Sequence, residues 1–135
     1  MLRLIPLATV VYTILIVFAS LAKFIIPFFS SDIKHSDKFM HAIAYFGFAV
    51  IWTFFFYVKN DKEVPSKSDF KKAIYKAAIF GVLFGILMEF AQLILTNYRS
   101  FDVLDAFANS LGVLIASLIM YPLAYFFCSI KKSGV

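Results

Sequence analysis

Four long apolar blocks alternate with short polar segments along this chain of 135 residues. The first covers about residues 4–28, with Lys23 late in it and Pro27 near its end. The second covers about 38–57 and is aromatic from Tyr45 to Tyr57. The third runs over about 73–96 and the fourth over about 103–127, just after Asp102. A helix crosses a bilayer with roughly 20 mostly apolar residues, and each block is long enough. The pattern predicts an all-α polytopic membrane protein, one domain over residues 1–135, with four transmembrane helices arranged as two in–out hairpins. The connector from Lys59 to Lys72 is polar, contains Pro65 and reads as a solvated loop. Ser20-Leu21-Ala22 loosely resembles a signal-peptidase site. The apolar run continues past Lys23 to Phe29, longer than a signal core, so it is read as a span.

Composition supports this picture. Hydrophobic residues make up 62% and charged residues 16%, whereas a soluble domain is about half apolar and about a quarter charged. Cys128 is the only cysteine, which excludes an internal disulfide and a cysteine-based metal motif. Its expected role is apolar filling. The net charge of +5 reflects lysines gathered in the connector and at Lys131 and Lys132. A basic patch with stacking residues, as nucleic-acid binding needs, is not called for. Arg3, Lys59, Lys62, Lys67, Lys71, Lys72, Lys76, Lys131 and Lys132 fall on one side of the four spans. Lys23, Lys34, Lys38 and Arg99 fall on the other. Positive residues favour the cytoplasmic side, so both termini are expected in the cytoplasm, with the loops at about 30–37 and 97–102 facing outward. The expected location is the inner (plasma) membrane.

Against this background the polar residues inside the spans stand out, because an ionisable group at membrane depth costs about 2.5–3.5 kcal/mol on insertion scales. Residues three or four apart share a helix face. Asp37 and His41 are so related, as are Lys38 and His41, and Tyr45 continues their stripe. Glu89 and Gln92 form a second stripe; Asp102, Asp105 and Asn109 form a third. Glu89 lies seven residues before Thr96, roughly 10 Å below the outer boundary. Asn109 is about as deep on the fourth helix, and Asp105 about half as deep. The three stripes are therefore expected to line one outward-facing cavity, with Arg99 above it. Gly81, Gly85 and Gly112 would let the helices approach closely around it.

Several members have simpler roles. First-turn carboxylates such as Asp37, Asp102 and Asp105 suit the positive end of a helix dipole. Ser36 and Ser100 suit N-caps, and Lys38 and Arg99 suit snorkelling to head groups. Glu89 resists such a reading. Its short side chain lies in Gly85-Ile86-Leu87-Met88-Glu89-Phe90-Ala91, too deep to reach water, so it must be protonated or paired with a cation.

The chain resembles the VanZ-like family of small bacterial membrane proteins, named for a teicoplanin-resistance accessory protein. One family pattern reads here as Asp37-Lys38-Phe39-Met40-His41 followed by Tyr45-Phe46-Gly47. The other reads Glu89-Phe90-Ala91-Gln92, then Arg99-Ser100-Phe101-Asp102-Val103-Leu104-Asp105, then Asn109 and Gly112. Together they cover about residues 37–116. Ala42 stands where a Phe is common, Asn97-Tyr98 where a Pro-Gly turn is common, and Ala116 where a second Gly is common. These departures touch packing and turn shape, not the charged set. The resemblance implies lowered teicoplanin susceptibility for the named member and supplies no biochemical mechanism.

Two functional expectations follow. In the first, the protein modifies a lipid or lipid-linked cell-wall precursor at the outer leaflet. His41, Glu89, Asp102 and Asp105 are then the catalytic candidates, with His41 as general acid or base and the carboxylates orienting it or moving a proton. Lys38, Arg99, Asp37, Tyr45, Gln92 and Asn109 are the substrate-binding candidates, the cations holding an anionic head group. In the second, the same site binds or shields such a precursor, or a lipoglycopeptide, without chemistry. A small transporter is a third reading, which would require oligomers. Membrane lipids are expected partners and homo-oligomers are compatible with the sequence. The residues specify no cofactor. A divalent ion on His41, Asp102 and Asp105 is chemically open, but their spacing is not specific and no metal ligand is assigned.

Overall fold

The computed structural model describes residues 4–21, 36–59, 66–97 and 101–132. They form four helices, α1 (Leu4–Leu21), α2 (Ser36–Val58), α3 (Lys67–Leu95) and α4 (Val103–Lys132). All four are long and apolar enough to cross a membrane, and no strand occurs among the described residues. The all-α, four-span reading therefore holds. The expected stretch 22–28 of the first span lies outside the described residues.

Two boundaries differ from expectation. Residues 67–72 are helical, not part of a loop. A capping box starts α3: the Ser66 side chain accepts from the Asp69 N–H at 3.2 Å, and Asp69 Oδ2 accepts from the Ser66 N–H at 3.1 Å. This reciprocal bonding satisfies backbone donors that a helix start leaves open, and it outweighs the polarity of the lysines that follow. At 29 residues, α3 is roughly 43 Å long, more than the hydrocarbon core of about 30 Å requires. At the other end of the chain, α4 continues to Lys132, and Pro122 lies inside it.

Helices α2, α3 and α4 pack on one another, and α1 lies against α2 and α3. Between α2 and α3 runs an aromatic seam. Phe48 stacks on Phe84 with ring centres 4.9 Å apart, and Trp52 meets Phe80 at 4.5 Å. A second cluster joins Phe70 and Ile74 of α3 to Met120 and Ala124 of α4, with Tyr57 edge-on to Phe70. Polar tips hold α1 in place: the Tyr12 hydroxyl donates to the Ala44 carbonyl at 3.0 Å, and the Trp52 indole N–H donates to Thr13 Oγ1 at 3.2 Å.

Helices α2 and α4 approach closely. A Cβ on Gly112 would overlap the Ala42 carbonyl oxygen and lie 3.0 Å from the Phe46 nitrogen, so only glycine lets these backbones meet. Outside the seams, large apolar side chains such as Leu7, Ile14, Leu83, Ile94, Phe107 and Leu118 are exposed. A soluble monomer rarely shows so much apolar surface, whereas hydrocarbon receives it without cost. Contacts described below bring the C-terminal ends of α1 and α3 together with the N-terminal ends of α2 and α4. The polar residues gather at that end.

Candidate functional site

The site is assembled from the first turns of α2 and α4 and the last turns of α3. Asp102 begins it by capping α4: its Oδ1 accepts the Leu104 N–H at 2.8 Å, and its carbonyl accepts from the N–H groups of Asp105 and Ala106. Its other oxygen, Oδ2, accepts from Lys38 Nζ at 3.0 Å. The Lys38 ammonium and, after it, the Leu104 N–H hold the Asp102 carboxyl below the ordinary carboxylate range. Lys38 also donates to Asp105 Oδ1, at 2.8 Å. One ammonium thus clamps two carboxylates of α4 and draws α2 onto it.

Below this clamp the network is buried. The Asp105 side chain is 10% exposed, against 29% for Lys38 and 42% for Asp102. Its second oxygen, Oδ2, lies 3.8 Å from His41 Nε2. On the opposite edge of the ring, His41 Nδ1 is 3.0 Å from Asn109 Oδ1. Asn109, with no exposed surface, donates through Nδ2 to Glu89 Oε1. That contact is long at 3.4 Å, beyond the usual 2.7–3.2 Å range. A carboxylate requires a donor, so the amide nitrogen belongs on Glu89 and the amide oxygen faces His41. His41 Nδ1 then carries the proton and donates to Asn109 Oδ1. Asn109 reaches this position because Gly85 has no side chain: a Cβ there would lie 3.0 Å from the Asn109 Cβ and 3.2 Å from Tyr45 Cε1.

Glu89 is 1% exposed, and its Oε2 has no hydrogen-bond partner among the described residues. No Lys or Arg side chain pairs with it among the described residues. Among the described residues the Tyr45 hydroxyl is likewise buried without a hydrogen-bond partner, while its ring packs on Phe48 and Phe84. Buried polar atoms left unpaired are uncommon in native proteins and call for an explanation.

Of the ten candidates read from the sequence, Lys38, His41, Glu89, Asp102, Asp105 and Asn109 form one connected network, with Tyr45 packed beside it against Gly85. Gln92 is turned to another task. Its Nε2 donates to the Ser20 carbonyl at 3.2 Å, and its own carbonyl takes the Thr96 hydroxyl at 2.7 Å. It fastens α1 to α3. Arg99 lies outside the described residues, as does the side chain of Asp37. Sequence spacing did not reveal that Lys38 is shared by two carboxylates, since helical periodicity says nothing about partners on other helices. It also missed the Ser20 carbonyl, which no side-chain pattern marks.

The ionisable groups can be regrouped for metal ligation. His41, Glu89 and Asp105 are all buried, and each offers a ligand atom within 4.8 Å of the other two. Asp102, which the spacing grouped with His41 and Asp105, lies across Lys38 and is more exposed.

No curated protein and no solved structure matches the chain. A family model described as VanZ/LLP1 matches residues 3–127. That match includes all three helix ends that build the polar network, and this four-helix membrane protein belongs to the VanZ/LLP1 family.

Proposed function

We propose that the polar end of the bundle faces the outside of the inner (plasma) membrane and takes the anionic head group of a lipid or lipid-linked cell-wall precursor. One observation carries this reading: a graded polar network, half-exposed at Lys38 and Asp102 and fully buried at Asn109 and Glu89, opens at one end of an otherwise apolar bundle. The charge distribution along the chain supports the outward orientation. The termini and the 59–66 connector then lie in the cytoplasm.

An ammonium has three N–H groups, and two of those on Lys38 are engaged with Asp102 and Asp105. The third has no partner among the described residues and suits an incoming phosphate or carboxylate oxygen. His41 stands one layer deeper, between Asp105 and Asn109. In the catalytic reading it transfers a proton to or from the bound head group, Asp105 orients it, and Asn109 links it to Glu89. Exposed Phe39, Leu104 and Phe107 near the opening suit acyl or polyprenyl chains.

A second reading, shielding without chemistry, is favoured by the same Lys38 clamp, which binds an anion without any proton transfer. The two readings separate at His41 and Glu89. Shielding tolerates His41→Gln and Glu89→Gln, whereas proton transfer does not.

Teicoplanin susceptibility in a Gram-positive host tests the proposal. Wild type is compared with Glu89→Gln and Asp105→Asn at membrane levels matched by immunoblot, with vancomycin as control. The expected outcome is protection by wild type that both variants lose. Equal protection by all three would reduce the network to scaffolding, and no protection by any would refute the resistance role.

A further inference from the structure

We infer that His41, Glu89 and Asp105 bind a divalent transition-metal ion of the zinc class. Three independent observations converge on this. The first is geometric. The ligand atoms of these residues lie within 4.8 Å of one another, and His41 Nε2 is 3.8 Å from Asp105 Oδ2. Tetrahedral zinc with bonds of 2.0–2.2 Å sets its ligands about 3.4 Å apart. Small side-chain rotations close that difference around an ion.

The second is the way each ligand is held. Lys38 takes Asp105 Oδ1 and leaves Oδ2 turned to His41. Asn109 takes Glu89 Oε1 and the His41 Nδ1 edge, which directs Nε2 inward. Ligands whose second atom is fixed by a neighbour in this way are the usual form of a metal site, because outer contacts set tautomer and direction. Glu89 Oε2 is the atom left over. It is buried and has no hydrogen-bond partner among the described residues, and Glu89 is a member of this group.

The third is charge. Among the described residues of the network, one lysine stands against the three carboxylates of Glu89, Asp102 and Asp105. A divalent ion on a neutral imidazole and two carboxylates balances the remainder, and it removes the cost of unpaired charge in an apolar setting. One imidazole with two carboxylates and no thiolate suits zinc or manganese better than copper(I), and offers too few oxygens for calcium. Three protein ligands leave a fourth position open, where a head-group oxygen would bind. That last use alone rests on the function proposed above. With metal on Nε2 and the Nδ1 proton donated to Asn109, His41 acts as a ligand and not as the proton carrier of the catalytic reading.

Metal binding is measured without any lipid substrate, so it stands or falls separately. The full chain, carrying a tag free of histidine, is reconstituted in nanodiscs, stripped with chelator, equilibrated with zinc and cleared of free metal. Elemental mass spectrometry then counts bound zinc, and cobalt(II) replaces it for visible spectroscopy. We expect about one zinc per chain, as a single centre requires, and the visible bands of low-symmetry cobalt. Glu89→Gln and His41→Gln each weaken binding at least about tenfold, and Asn109→Ala weakens it about 10–100-fold as an outer contact. Circular dichroism checks that the variants keep their helices. Should they misfold, the wild-type cobalt bands and a zinc-specific rise in unfolding temperature still decide. Wild type that holds neither zinc nor cobalt overturns the inference, and so do folded variants that bind as wild type does.

Discussion

At Asn109 a single amide joins an imidazole on α2 to a carboxylate on α3. Neither contact is local in sequence, and both are sealed from water. Removing the amide takes from Glu89 the side-chain donor it has among the described residues. An unsatisfied buried polar group costs about 1–3 kcal/mol. Asn109→Ala is therefore expected to lower stability by about that amount, and unfolding titrations in a mixed-detergent system would measure it. A change under about 0.5 kcal/mol, well below that cost, would mean that the 3.4 Å contact to Glu89 contributes nothing. The residue scale also shows why Glu89 drew notice from the sequence alone. A carboxylate a dozen residues from any upstream charge has few ways to be accommodated. Of the cations expected there, His41 does lie within 4.8 Å, while the hydrogen bond comes from a neutral amide that the spacing did not suggest.

The elements reach these contacts because Gly85 and Gly112 stand where α3 and α2 cross α4. Gly112 is the more severe case, because the atoms an added methyl would meet belong to the α2 backbone at Ala42 and Phe46. Backbone in the middle of a helix cannot rotate aside, so α2 and α4 must separate and the Lys38 clamp must stretch. Gly47 faces the Tyr12 hydroxyl instead, the end of a movable side chain. Gly112→Ala is expected to cost about 1–3 kcal/mol, the usual cost of overpacking, and Gly47→Ala less. Thermal unfolding of the two variants in the same detergent gives the order, and a reversed order would contradict the close α2–α4 crossing. The capping box at Ser66 belongs to this scale too. Ser66-Lys67-Ser68-Asp69 directly after Pro65 is a helix-start signal that was present in the sequence, hidden by the reading of a lysine-rich stretch as loop.

For the whole molecule, the distribution of lysine predicts which end of the bundle faces out. Single cysteines in a Cys128→Ser background report it. Asn97→Cys, at the polar end, is expected to react with a membrane-impermeant maleimide in intact cells. Lys59→Cys, at the opposite end, should react only after permeabilisation. The reverse pattern would place the polar network at the cytoplasmic face and remove an outer-leaflet substrate from consideration. The exposed apolar belt is unchanged in either orientation, since it answers to hydrocarbon and not to sidedness.

By itself the sequence determined the number and type of the spans, because length and hydropathy are properties of each segment alone. It also determined which polar residues needed explanation, since the cost of a charge in lipid does not depend on its partner. Helical spacing went one step further and put His41 on a stripe with Lys38, and Asn109 with Asp105. Only the tertiary structure decided the partners. It gave Lys38 to two aspartates, turned Gln92 to the Ser20 carbonyl, and set Glu89 beside His41 and Asp105 in place of Asp102. Those choices depend on how closely α2, α3 and α4 approach and at what depth. Such distances are set jointly by the glycine crossings and the aromatic seam, which no single segment encodes.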